Sequence, residues 1–330
     1  MNYNTVVETV NNLLKDNNEK WQSRYKDFAD KVIKHEKEYT IRKKRFQVKM
    51  PLYCYTEIGS LLKNPLNKKT DKENKLEYKL RFYGQDIATV SVQDENILIS
   101  TKKYDKSNEK LGNKPLGNNK WSDKETSEFL AKFKQISKEK VKSKEHRVEN
   151  ILLAEFAKKK SEGKKLCNIQ PIKLCGLFFQ FTTPLRASKE IGYSENNKGG
   201  GIDILARVKH KNNSVNICVM ELKDENIEKE NPKIAMKQAV TYAAFVAHLL
   251  RSESGNDWYK IFGFGKDVPK ELTIDVAIVM PFKEERSENF EKLKEIKVLE
   301  NTYLKLYSLY FLEDEKGFIG SLKDSMLPHK

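Results

Sequence analysis

The chain has 330 residues, 33% of them charged, and a formal net charge of +15. This length allows one large domain or two ordinary ones with a proper hydrophobic core. No run approaches the roughly 18 apolar residues of a membrane helix, and the N-terminus lacks the layout of a signal peptide. Four cysteines without a C-x-x-C pair argue against a structural zinc site. We therefore expect a cytoplasmic protein that does not enter a membrane.

Residues 1–140 are expected to form a basic α+β domain, because they hold 30 Lys and Arg against 20 Asp and Glu. Apolar residues at helical spacing predict one or two amphipathic helices over 3–36. Short alternating runs over 44–104 are typical of strands. Residues 105–120 have the composition of a loop or linker, and a helical stretch follows at 123–139. The basic surplus favours a polyanionic partner, with simple solubility as the alternative.

Residues 141–330 show an α/β order of helix, three strands, helix and two strands. The first helix is predicted over 143–160, the strands over 172–181, 201–208, 215–223, 272–280 and 303–312, and the second helix from Pro232. Proline is favoured in the first turn of a helix, which supports a start after Asn231. The glycines at 199–201 do not fit nucleotide-binding patterns, so the sequence gives no support for a kinase or a dehydrogenase.

Charged residues interrupt the two predicted strands of one hairpin. If the hairpin is centred on Asn212, the numbers of facing residues sum to 424, and Asp203 faces Glu221 with Cβ atoms about 5 Å apart. Lys223 shares the face of Glu221, because side chains alternate along a strand. A slip of one residue would place the two carboxylates on opposite faces, so this arrangement depends on the register.

Two adjacent carboxylates in an apolar setting stay ionised together only if a cation compensates them. Mg²⁺ suits this role, because it prefers oxygen ligands, takes one or two carboxylates and keeps positions for water and phosphate. Such an ion polarises a phosphoryl oxygen and makes water easier to deprotonate, while a nearby lysine orients the water or offsets developing charge. The hairpin therefore contains the parts needed for phosphodiester hydrolysis.

These residues resemble the motif of the PD-(D/E)xK nuclease superfamily. The motif is present as Ile202-Asp203 followed by Glu221-Leu222-Lys223, with Ile202 in place of the proline. The resemblance implies a restriction-endonuclease-like αβββαβ core in the C-terminal half. It also implies that Asp203, Glu221 and the main-chain carbonyl of Leu222 bind Mg²⁺, with Mn²⁺ as a substitute, and that Lys223 acts on the attacking water.

A second element follows the motif. Gln238 and Tyr242 are four residues apart, hence on one helix face, and resemble the Q-x-x-x-Y element of a subgroup that includes recombination-type nucleases. Members of the superfamily often supply an acidic residue from the helix before the strands. Glu149 is the candidate here and Glu145 its competitor, with a solvated glutamate as the alternative. The expected catalytic residues are thus Asp203, Glu221, Lys223, Gln238, Tyr242 and Glu149.

The sequence therefore predicts a magnesium-dependent deoxyribonuclease, with RNA as the alternative substrate. The family's usual roles suggest restriction or anti-phage defence, with DNA, a second copy of the chain or a defence-system protein as partners. The alternative from another class is a catalytically inactive nucleic-acid-binding or scaffold protein that retains the fold. Asp275 is expected to form a hydrogen bond at the strand edge, and His210 and His248 to be structural or surface residues.

Overall fold

The computed structural model describes residues 2–57, 75–93, 95–141, 144–157, 168–194, 199–210, 212–223, 231–281, 295–313 and 319–324. The protein is of the mixed α/β class, with mixed sheets, which confirms the expected class at this level. It forms two compact units. Unit 1 comprises Met1–Ala29, Ile151–Ile172 and Gln180–Lys330, and unit 2 comprises Asp30–Asn150 and Lys173–Phe179.

The helices are α1 (Tyr3–Asp16), α2 (Asn18–Lys44), α3 (Asp105–Leu111), α4 (Lys124–Lys132), α5 (Lys144–Ala157), α6 (Pro232–Arg251) and α7 (Gly255–Ile261). The strands are β1 (Leu52–Glu57), β2 (Lys75–Phe82), β3 (Gln85–Gln93), β4 (Asn96–Ser100), β5 (Asn118–Lys120), β6 (Ile169–Pro171), β7 (Phe178–Thr182), β8 (Leu185–Arg186), β9 (Gly192–Tyr193), β10 (Gly201–Ile202), β11 (Ile204–Lys209), β12 (Val215–Leu222), β13 (Leu272–Pro281), β14 (Ile296–Leu299), β15 (Thr302–Glu313) and β16 (Ile319–Asp324). In the part of the chain thus described, no helix is both long and apolar enough to cross a membrane.

The main sheet of unit 1 has the strand order β14-β15-β13-β12-β11-β6, and β16 pairs with β15. Strands β11 and β12 form an antiparallel hairpin in which Ile204 pairs with Met220 and Lys209 with Val215. Both pairs sum to 424, which confirms the predicted register. Helix α6 connects β12 to its parallel neighbour β13. Strand β12 therefore has neighbours on both sides, and its residues from Ile217 onward are buried.

The predicted strand over 201–208 is divided at Asp203. Strand β10 pairs with β7, where Gly201 faces Thr182. Strand β11 instead pairs with β12. The chain thus changes pairing partners at Asp203, which lies at a bend between the two strands.

The first 29 residues belong to unit 1, which differs from the expectation that residues 1–140 form one domain. Helix α1 packs on α6. Trp21 and Tyr25 of α2 are buried and contact Phe245 of α6, with ring centroids 5.7 and 4.9 Å away. The indole Nε1 of Trp258 donates to the main-chain oxygen of Tyr25. These long-range aromatic contacts explain why the N-terminal segment joins the C-terminal half.

Unit 2 contains the antiparallel strands β1 to β5 in chain order. The expectation of a loop over 105–120 is wrong, because this segment contains α3 and β5. Although the composition of residues 105–120 is polar, some of these residues are buried. Asn108 is fully buried and its amide donates to the main-chain oxygens of Ile87 and Tyr104 at 2.9 and 3.0 Å. Those two bonds allow an asparagine to occupy the core.

The predicted strand over 172–181 is also divided. Between β6 and β7, Cys175 and Gly176 have φ values of 51° and 75°, and Leu174 bridges Leu177. Two consecutive residues with positive φ form a tight type I′ turn. Cysteine is an unusual residue in such a turn, so the turn could not be predicted from the residue types.

Candidate active site

Asp203 is held against the end of β12. Its Oδ2 accepts a hydrogen bond from the main-chain N–H of Leu222 at 2.8 Å. The side chain is half-buried and follows directly after β10. The bend between β10 and β11 thus directs this carboxylate toward the strand that contains the other charges of the motif.

Glu221 and Lys223 form a buried ion pair. The Nζ of Lys223 lies 2.9 Å from Oε1 of Glu221, and the two residues are 8% and 5% exposed. Charges this deeply buried are stabilised only when they are paired and hydrogen-bonded. The ion pair explains why two charged residues are tolerated in a buried position at the end of β12, because each charge compensates the other.

The main-chain carbonyl of Leu222 points toward Asp203. The N–H of Lys223 donates to the oxygen of Val279 in β13 at 2.9 Å. Within a trans peptide, the preceding carbonyl points in the opposite direction, away from β13. The N–H of Leu222 meets the Asp203 carboxylate on that side. Two carboxylates and one carbonyl oxygen are therefore offered at one end of the hairpin.

Tyr242 belongs to the same electrostatic cluster. It is 4% exposed, and its pKa is raised above the ordinary value, first by burial and then by the negative charges of Glu221 and Asp203, against an opposing effect of Lys223. Its phenol therefore stays protonated at neutral pH and acts as a hydrogen-bond donor. Gln238 lies one helical turn earlier on α6 and is half-buried.

Gly200 gives Tyr242 its space. A methyl group on Gly200 would overlap the Tyr242 hydroxyl. The segment is fixed by two main-chain hydrogen bonds, from Thr183 N–H to Gly200 oxygen and from Gly200 N–H to Leu185 oxygen. The glycines at 199–201 fit no nucleotide-binding pattern, and this contact was not predicted from them. The position of Gly200 three residues before Asp203 was the signal that could have indicated it.

Gln180 is a second residue that the sequence did not reveal. A methyl group on Gly201 would overlap the Gln180 side chain. Gly201 pairs with Thr182 of β7, two residues after Gln180, and lies two residues before Asp203. Gln180 therefore contacts the segment that leads into Asp203.

Glu149 is buried in unit 2 at 7% exposure. Its Oε1 lies 3.8 Å from Nη1 of Arg81, and its Oε2 lies 3.5 Å from Nδ1 of His146. Arg81 also pairs with Asp86 at 2.7 Å. The alternative of a solvated glutamate is therefore wrong. A catalytic role for Glu149 stays a prediction.

Two other polar clusters explain the remaining candidates in unit 1. Asp275 is fully buried and bonds to Nε2 of His210 at 2.6 Å and Nδ2 of Asn216 at 3.2 Å. It is hydrogen-bonded as expected, but it lies within β13, which is paired on both sides, and not at an edge. The bond to Asp275 raises the pKa of His210 against the effect of burial. His248 bonds to Asn11, and burial lowers its pKa to about 4. Both histidines have structural partners.

The donor set suits magnesium by its chemistry. Among the residues that the structure describes, no group of three or more His, Cys, Asp and Glu side chains could hold a metal ion. Mg²⁺ does not need such a group, because it commonly uses one or two carboxylates and completes its shell with water and phosphate oxygens. Asp203, Glu221 and the Leu222 carbonyl offer oxygen donors only, which favours Mg²⁺ or Mn²⁺ over softer metals.

Comparison with known proteins assigns no family. No protein-family model, curated protein or solved structure matches the chain. The functional argument therefore depends on the geometry of the chain's own residues.

Proposed function

We propose that this chain is a metal-dependent nuclease that hydrolyses the phosphodiester bonds of DNA. The observation that carries the proposal is the hydrogen bond from Leu222 to Asp203, which places this carboxylate beside the buried Glu221–Lys223 pair. An ordinary structural ion pair explains Glu221 and Lys223 alone. It does not explain a second carboxylate fixed next to them at the end of the same hairpin.

The order of elements supports a restriction-endonuclease-like core. If β7 to β10 and the short helix α7 are set aside, α5 is followed along the chain by β6, β11, β12, α6 and β13, with β11 antiparallel to both β6 and β12 and with β12 parallel to β13. This is the αβββαβ order that the motif implies. The motif charges occupy the bend before β11 and the end of β12, as the resemblance requires.

In this proposal, Asp203, Glu221 and the carbonyl of Leu222 hold Mg²⁺, and Mn²⁺ substitutes for it. A divalent ion bound there supplies Lewis-acid polarisation of a phosphoryl oxygen and lowers the pKa of water. Lys223 contributes a fixed ammonium group that orients the attacking water and offsets the charge that develops on the phosphate. Its contact with Glu221 holds the ammonium group in position before substrate arrives.

Tyr242 and Gln238 act as neutral donors in this scheme. Because the pKa of Tyr242 is raised, its hydroxyl donates to a phosphate oxygen or a water and does not serve as a base. Gln238 presents an amide from the same face of α6. Glu149 is retained as a predicted acidic contributor whose ion pair with Arg81 also gives it a structural role.

The proposal is tested by incubating linear and covalently closed circular DNA with the protein in Mg²⁺, in Mn²⁺ and in EDTA. We expect cleavage with either metal and none in EDTA, and cutting of the circle identifies endonuclease activity. RNA of matched sequence tests the substrate class. Plating of phage on cells that express the wild type or Asp203→Asn tests a role in defence. Absence of metal-dependent cleavage of every substrate contradicts the proposal.

A catalytically inactive nucleic-acid-binding protein is the second candidate. Unit 2 holds 30 Lys and Arg against 18 Asp and Glu, so it carries +12 of the total charge of +15. This surplus favours binding to a polyanion whether or not unit 1 cuts it. Tight binding of DNA without turnover in any metal would favour this candidate.

A further inference from the structure

Unit 2 contains a pocket of about 370 Å³. Among the described residues that line it, the charged ones are Lys43, Lys44 and Lys173, and none is an Asp or a Glu. The volume lies in the range of small-molecule sites, about 300 to 1,000 Å³. A cavity whose charged side chains are positive favours a negatively charged ligand.

Two of the lysines are held by local contacts. The Nζ of Lys43 donates to the main-chain oxygen of Gly176 at 3.1 Å, in the tight turn after Leu174. The Nζ of Lys173 lies 4.5 Å from the centroid of the Phe178 ring. Among the residues that the structure describes, neither lysine forms an ion pair with a carboxylate. Burial, and then the charge of Lys43, lowers the pKa of Lys173.

Two other titratable groups of the described lining, Cys54 and Tyr53, do not neutralise this charge. Burial raises the pKa of the Cys54 thiol to about 12, so it is uncharged at neutral pH. Burial also raises the pKa of Tyr53. The remaining wall includes the apolar side chains of Phe46, Met50 and Phe178. The pocket therefore has a cationic side and an apolar side.

We propose that this pocket binds a nucleotide phosphate, with the ammonium groups of Lys43 and Lys173 on the phosphate oxygens and the sugar or base against the apolar wall. Each ammonium group has three donors, and Lys43 uses one for Gly176. A phosphate between the two lysines offsets their repulsion through charge-assisted hydrogen bonds. Two sources share this chemistry, a nucleic-acid strand and a free nucleotide. That the bound phosphate belongs to a nucleic-acid strand rests on the proposed function of the chain.

The test compares two double variants that remove the same charge from unit 2. Lys43→Met with Lys173→Met keeps the apolar stems that line the pocket. Lys102→Met with Lys106→Met removes two exposed lysines outside it. Binding of a 5′-phosphorylated 20-nucleotide DNA and of thymidine 5′-monophosphate is measured in EDTA, so cleavage does not influence the result.

We expect the pocket variant to weaken DNA binding at least about tenfold and to reduce the slope of log K against log salt by about one. The matched control should change the affinity by less than about twofold. If only the mononucleotide loses affinity in the pocket variant, the source is a free nucleotide. If both variants behave alike with both ligands, the pocket is not a phosphate site and the proposal is overturned.

A third double variant is a control for misfolding. Lys43→Arg with Lys173→Arg retains the two charges, so it should bind within about threefold of the wild type. If this variant loses as much affinity as the methionine pair while its Tm is unchanged, phosphate binding by the pocket is excluded. Because the assay needs no turnover, failure of the nuclease proposal and failure of this one give different results.

Discussion

The two units differ in net charge, although each of them buries charged residues. Unit 1 has a net charge of +3, with 32 Lys and Arg against 29 Asp and Glu, and buries Glu221, Lys223 and Asp275, while unit 2 buries Arg81, Arg147 and Glu149. Unit 2 has a net charge of +12 over fewer residues. Buried charges need specific partners and so define a geometry, whereas exposed charges act collectively and are screened by salt. Changes in unit 1 should therefore alter chemistry, and changes in the basic surface of unit 2 should alter affinity.

The largest effect is expected for Asp203→Asn. This change replaces a carboxylate of the proposed metal site by a neutral amide, which is a much weaker ligand for Mg²⁺, so the cleavage rate should fall about 1,000-fold, while the Kd for DNA changes less than about threefold. Glu253→Gln is the control, because this exposed glutamate of unit 1 pairs with Lys26 at the surface. A variant that cuts at the normal rate would show that the buried cluster is structural.

Acid should weaken unit 1 through His248. Its pKa is lowered from 6.5 to about 4, so its contribution to stability is present above pH 6.5 and is lost as the pH falls toward 4. The loss is on the order of 3 kcal/mol. His248→Gln removes the titration and should flatten this part of the curve of unfolding free energy against pH. Equal slopes for the two proteins would contradict the assignment.

His210 should show the opposite sign. Its pKa is raised by Asp275, so its contribution is present below pH 6.5 and is lost as the pH rises through the raised value. His210→Asn should therefore cost more stability at pH 6 than at pH 9. Urea unfolding at the two pH values measures the difference, and a pH-independent loss would show that the imidazolium is not involved.

Gly200→Ala should disturb the cluster from outside the motif. The added methyl overlaps the Tyr242 hydroxyl, and accommodating it costs about 1 to 3 kcal/mol in stability or displaces the tyrosine with a loss of cleavage. Gly265→Ala is the matched control, because nothing lies within 4 Å of the added group. If the two variants unfold at the same temperature and cut equally well, the contact has no consequence.

The smallest effect is expected for Tyr242→Phe. Removal of one neutral donor should lower the cleavage rate about tenfold. Because the pKa of Tyr242 is raised, the alkaline limb of the pH–rate profile should be the same in the wild type and the variant. If the alkaline limb of the pH–rate profile is present in the wild type and absent in Tyr242→Phe, the phenol ionises during turnover.

The hairpin could be predicted because its signal is local. The two apolar runs on either side of the turn suggested a hairpin centred on Asn212, and Ile204 pairs with Met220 as that assumption requires. The cap at Asn231, which accepts from the N–H of Lys233, is equally local. These features depend on neighbours in the sequence, so a single sequence reveals them.

The rest depends on contacts between distant residues. Tyr242 needs Gly200 for space, Glu149 is paired with Arg81, and Trp21 is buried against Phe245. The periodicity of apolar residues along the sequence does not indicate which distant residues pair. The division of the 201–208 strand at Asp203 was missed for the same reason, because it follows from a change of partner strands and not from a breaker residue.

The most direct measurement is the single-turnover cleavage rate of wild type and Lys223→Met in Mg²⁺, with DNA affinity measured separately in EDTA. We predict that the rate falls at least about 100-fold while the affinity stays within about threefold, since Lys223 is buried beside Glu221 and, in the proposed mechanism, orients the attacking water and offsets the developing charge. A folded variant that cuts as fast as the wild type would contradict the assignment of this buried cluster as the active site.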